Sequence, residues 1–270
     1  MPGNHGTMLR IFLLVVIYLA FISLGLPDGV LGLAWPAMRS SLGLPLEAVG
    51  VFTLIVTCCS ALSGFMSGRV LKRFGTGPVT FISALMTGLA LLGMSFVPNF
   101  PVMIALAFPL GLGAGSLDAG LNNFVAAHYS SRHMNWLHAC WGIGATIGPV
   151  IMGSAIAGGL GWSQGYRFIA FGQLAISTLL FLSLGLWKRQ GIVTAVDHAA
   201  GGTIKADAPR WAPFLAASLF ILYAAVEMGT GLWTASLLIE SRHYDAGLAG
   251  LAVTLYYGAI MAGRILVGFV

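Results

Sequence analysis

The stretch PVMIALAFPLGLGAGSLDAGLNNFVA, residues 101–126, has no Lys or Arg and a single carboxylate, Asp118, followed closely by Asn122 and Asn123. A helix crosses a bilayer core with about 20 apolar residues, so this run is long enough to span and its polar group lies inside the span. An ionised carboxylate at that depth costs about 2.5–3.5 kcal/mol on insertion scales, and such groups face a water-filled cavity or a partner. The run reads as a membrane helix in which Asp118 has either a function or a structural partner, such as a polar neighbour or a local break near Gly120.

The rest of the chain agrees. Of its 270 residues 58% are apolar and 8% charged, with a mean hydropathy of +0.91, whereas soluble domains carry roughly 25% charged residues. Seven more runs are long enough to span, giving 11–36, 47–67, 78–97, 101–126, 136–157, 163–187, 211–239 and 247–269 in all. They are continuous, not alternating, and backbone polar groups in lipid are satisfied within a helix, so the fold class is all-α integral membrane. The first run is too long for the apolar core of a signal peptide and is read as a retained span. Cys58, Cys59 and Cys140 lie within apolar runs without the spacing of a zinc site, implying neither disulfide nor metal. The 37 glycines, twice the usual share, suit helices packed backbone against backbone, with four-residue ladders at Gly64 and Gly68, Gly111 and Gly115, and Gly144 and Gly148.

A net charge of +5 suggests no nucleic-acid partner here, because the basic residues fall in short loops where they set orientation. With the N-terminus cytoplasmic, that side receives Arg10, Arg69, Lys72, Arg73, Arg132, Lys188, Arg189, Lys205, Arg210 and Arg264, leaving Arg39, Arg167 and Arg242 outside. Trp187 and Trp211 then mark cytoplasmic span ends and Trp162 an outer one. Residues 188–210, rich in Gly, Ala and charge, read as a cytoplasmic linker between a six-helix bundle over 1–187 and two further helices over 211–270. Across that linker the pattern repeats: Asp28, Gly32 and Trp35 are echoed by Glu227, Gly231 and Trp233, and SGRVLKRFG from Ser67 by AGRILVGF from Ala262. The expectation is that the chain stops inside a second six-helix unit.

Two six-helix halves, a long central loop and the turn GRVLKRFG at residues 68–75 resemble the major facilitator superfamily. Gly68, Arg73, Phe74 and Gly75 match that family's signature, whereas Lys72 stands where an acid is usual, which puts that acid's charge-relay role in doubt. GLPDGVLGLAWP in span one, GLGAGSLDAGLNN in span four, LHACWGIGATIGP in span five and AAVEMGTGLW in span seven resemble the fucose-permease-type branch of sugar:proton symporters. GATIGPVIMG in span five also partly matches the Gly-Pro signature of drug:proton antiporters, so efflux by the same fold is the alternative.

The resemblance implies a secondary transporter working by alternating access, with protons as coupling ion, no other cofactor, a small polar solute as cargo, a monomeric state, and a bacterial inner-membrane location. It places spans one, four and seven around a central cavity, so Asp28, Asp118 and Glu227 are expected to converge near mid-span. Asp28 would carry the coupling proton, unless it serves only to satisfy amides freed by the break at Pro27. Asp118 and Asn122, four residues apart on one helical face, offer acceptor and donor together to a solute hydroxyl, and removal from water favours the protonated form of such an acid. Glu227 joins them or pairs with His138, which either relays protons or packs. Asn123, Asn135, Trp141 and Trp233 are further solute-binding candidates, with interhelical hydrogen bonding or packing as the alternative. Gly68, Arg69, Lys72, Arg73 and Gly75 would form a cytoplasmic gate. No zinc helix, nucleophile elbow or phosphate loop is present to suggest an enzyme.

Overall fold

A computed structural model describes residues 4–187, 209 and 211–267. Among these the regular elements are all helical: α1 (Asn4–Gly25), α2 (Val30–Leu42), α3 (Ala48–Phe74), α4 (Thr76–Met94), α5 (Phe100–His128), α6 (Ser131–Ala157), α7 (Gly161–Leu182), the single turn α8 (Leu184–Trp187), α9 (Ala212–Ser236) with a π-helical extension at Leu237–Ser241, and α10 (Ala246–Val267). Eight spans are long and apolar enough to cross a bilayer, α1 and α2 together making the first. Apart from Pro209, the linker, with Lys188, Arg189, Lys205 and Arg210, lies outside the described residues.

The first span breaks at Leu26–Gly29. Pro27 has no N–H to donate, and Gly29 adopts φ 72°, a left-handed conformation that most side chains disfavour. The break turns Asp28 out of the helical ladder. At the far end of the second span, GRVLKRF forms the last turns of α3 instead of a loop, because the helix continues past its apolar run and reverses only at Gly75, φ 82°.

Close backbone approach explains the pairing of the first-half helices. A Cβ on Gly144 or Gly148 would strike the Ile22 or Leu26 carbonyl, and one on Gly25 the Trp141 carbonyl, so α1 and α6 cross in direct contact. Gly111 and Gly115 bring α5 equally near the Val56 and Ser60 carbonyls of α3. The third expected ladder is corrected: Gly64 and Gly68 have no such neighbour, because α3 meets α5 through Val56, Cys59 and Ser60. Large apolar side chains such as Phe65, Phe108 and Phe171 remain exposed outward, a surface suited to lipid and not to water.

The two helices after the linker pack on the first group, α9 against α2 and α10 against α6. They do so unequally along their length. Almost every residue from Pro213 to Val226 is exposed around α9, whereas Glu227, Gly231, Ala235 and Ser236 are buried, and Gly32 lies flush against the Gly231 and Leu232 backbone. The groups therefore converge toward the C-terminal end of α9 and separate toward its N-terminal end. At the convergent end Arg39 donates from Nε and Nη2 to the two carboxylate oxygens of Glu240, at 2.8 and 2.6 Å. Glu240 belongs to the π-helical turn, which re-aims the end of α9 toward α2.

Candidate functional site

Where the groups begin to converge, charged and aromatic side chains meet. The break in the first span presents the Asp28 carboxylate to α6, where Trp141 Nε1–H donates to Oδ2 at 2.6 Å. The contact is interhelical, joining the break in the first span to α6. The Arg264 guanidinium of α10 covers the Trp141 ring, 4.5 Å from its centroid, and Tyr257 meets the same ring edge-on at 6.1 Å. Arg264 Nη2 then donates to the Tyr223 hydroxyl at 3.1 Å and to Glu227 Oε1 and Oε2 at 3.3 and 3.4 Å on α9. Tyr256 adds a hydrogen bond from its hydroxyl to the Glu227 carbonyl.

Asp28 and Glu227 are thus linked through Trp141 and the cation Arg264, whereas the recorded hydrogen bonds of Asp118 are to Asn122 on its own helix. On α5 the four-residue spacing lets Asn122 Nδ2 donate to the Asp118 Oδ1 and backbone carbonyl, both at 3.0 Å, and Asp118 is exposed. The pair presents a carboxylate together with the free amide oxygen of Asn122.

Other sequence candidates are distributed as follows. Glu227 pairs with Arg264 and not with His138, whose ring packs edge-on against Phe21 at 5.7 Å. One face of Trp141 is occupied by Arg264, so a solute would meet its remaining surface. Trp233 is 38% exposed and projects from the face of α9 opposite Gly231, away from the cluster. Asn123 is half-buried on α5, and Asn135 is exposed one turn into α6. Arg69, Lys72 and Arg73 are exposed with no ion-pair partner among the described residues, Arg73 lying over the Phe74 ring at 5.5 Å; Gly68 and Gly75 flank them. Among the described residues no group of three or more His, Cys, Asp or Glu could hold a metal.

Arg264, counted above among the orienting charges, has partners on α9. It is engaged with a carboxylate, Glu227, 3.3 Å away. Its signal was present: it falls within the apolar run 247–269, where a cation needs a partner as much as an acid does.

A multi-pass helical membrane protein whose two helix groups meet around intramembrane charges is the class this architecture defines. Residues 17–270 match the Major Facilitator Superfamily, and the chain belongs to that family. It is 25% identical over 77% of its length to the glucose/mannose transporter GlcP of Bacillus subtilis, covering 54% of that protein. It is 32% identical over 77% of its length to the putative metabolite transport protein YfiG of the same organism, covering 40% of it, and 22% identical over 80% to the class H tetracycline resistance protein of Pasteurella multocida, covering 56%. The chain spans about half the length of the curated relatives it matches.

Proposed function

We propose that this protein is a secondary transporter that moves a small polar solute, a sugar, with protons by alternating access. The observation that carries the reading is the Asp28–Trp141–Arg264–Glu227 chain of contacts, which links the broken first span to the two helices beyond the linker. A carboxylate placed at a helix break, beside a second helix group, can couple its proton occupancy to the packing of the two groups, since its hydrogen bond and its neighbouring cation belong to different helices. Asp28 carries the coupling proton in this reading. Asp118 and Asn122 bind solute hydroxyls from the α5 face, with Trp141 supplying apolar contact beside them, and Asn123 and Asn135 line the path.

The sugar assignment is favoured by the paired carboxylate and amide of Asp118 and Asn122 and by the similarity to a glucose/mannose transporter. Convergence at the Arg39–Glu240 end and separation at the other correspond to a state open toward the end carrying Arg69, Lys72 and Arg73, which serve as that end's gate. We place the N-terminus and this gate on the cytoplasmic side of a bacterial inner membrane, with the transporter acting as a monomer. Flux into proteoliposomes holding the whole protein, with and without an imposed proton gradient, tests the reading on D-glucose, D-mannose and tetracycline. Gradient-driven hexose accumulation is expected; tetracycline movement without hexose uptake would replace it with efflux by the same fold.

A further inference from the structure

The two ion pairs among the described residues differ in kind. Arg39 meets Glu240 through two nitrogens at 2.6 and 2.8 Å, the fork-to-fork arrangement of a satisfied guanidinium. Arg264, by contrast, makes every hydrogen bond to a described residue through one nitrogen, Nη2, shared among Tyr223 and both oxygens of Glu227 at 3.1–3.4 Å. These are long for charge-assisted contacts, which favour about 2.7–2.9 Å. The side chain is 28% exposed while its plane is held against Trp141. A guanidinium has five N–H donors, and among the described residues none accepts from Nε or Nη1.

What fills that edge is constrained by its surroundings. Arg264 stands where α6, α9 and α10 meet, its plane on Trp141, whose own N–H is held by Asp28, and its Nη2 on Tyr223 and Glu227. We propose that Arg264 is a solute-contacting, specificity-determining residue that donates from Nε and Nη1 to an oxygen of the cargo, with Glu227 and Tyr223 holding its far nitrogen and Trp141 its plane. This rests on the transport reading above. It adds to the α5 pair a second anchor on α10, so that the solute touches both helix groups. Bound cargo then draws α10, already packed on α6, toward α5.

The experiment uses the whole protein in proteoliposomes and measures counterflow exchange, which needs no proton gradient, for D-glucose, its monodeoxy analogues, and benzoate as a carboxylate probe. Arg264→Lys keeps the charge and loses the fork; Arg264→Gln loses both; Tyr223→Phe removes only an Nη2 contact. For the solute carried, Arg264→Lys is expected to raise KM by about tenfold or more, the scale of a lost hydrogen bond to a charged group, and Tyr223→Phe by less than about threefold. One monodeoxy analogue is expected to be penalised in the parent protein and no longer penalised in Arg264→Lys, a result that a structural role would not produce. If benzoate exchanges and glucose does not, with the same KM rise, Arg264 keeps its role and the sugar reading fails. An unchanged KM for the carried solute in monodisperse Arg264→Lys protein overturns the Arg264 assignment and leaves transport standing. Should both Arg264 variants fail to insert, the monodeoxy series in the parent decides: uniform KM across it overturns the assignment. Absence of exchange of every probe by the parent overturns both.

Discussion

At the scale of single residues, the cluster is a set of groups that each need another helix. Asp28 was legible in the sequence because an acid in a span must be compensated, and Pro27 and Gly29 beside it announced the break. Its donor, Trp141, was legible only as an aromatic candidate, since nothing local in the sequence says that residues 28 and 141 meet. Asp28→Asn retains an acceptor oxygen for the Trp141 N–H yet cannot cycle a proton. The expected outcome is lost uphill accumulation with exchange preserved, measured as gradient-driven uptake against counterflow; unaltered uphill uptake would remove Asp28 from coupling.

At the scale of helices, association in lipid lacks the hydrophobic drive of water and depends on close packing and hydrogen bonds. That dependence makes two glycine substitutions opposite in sign. Gly144→Ala sets a Cβ against the Ile22 carbonyl and forces α1 and α6 apart, which is expected to cost about 1–3 kcal/mol and lower the melting temperature in detergent by several degrees. Gly64→Ala meets nothing within 4 Å and gains up to about 1 kcal/mol of helix propensity, so its melting temperature is expected to hold or rise. Equal destabilisation by both would contradict the observed pairing of α3 with α5. The sequence displays three equivalent ladders, but a four-residue repeat says only that a face is smooth, and the presence of a partner on that face is a tertiary matter.

At the scale of the whole molecule, the Arg39–Glu240 pair joins segments 201 residues apart and closes the end at which the two groups converge. In a background lacking Cys58, Cys59 and Cys140, a Ser236→Cys probe occupies a site buried between the groups. Adding Arg39→Gln is expected to speed its modification by a membrane-impermeant thiol reagent several-fold, and the exchange Arg39→Glu with Glu240→Arg to slow it again. Labelling rates indifferent to both changes would show that packing at Gly32, and not the ion pair, holds this end shut.

Sequence by itself determined the eight spans, the helical class, the family resemblance and the presence of unusual acids, because a membrane helix satisfies its own backbone and its apolar length is a local property. Only the tertiary structure decided who partners whom: that Asp28 receives a hydrogen bond from Trp141, that Glu227 turns to Arg264 instead of His138, and that Trp233 points elsewhere. Those outcomes depend on the rotation and crossing of helices tens to hundreds of residues apart, and a charge's partner is set by distance in space, which hydropathy along the chain does not encode.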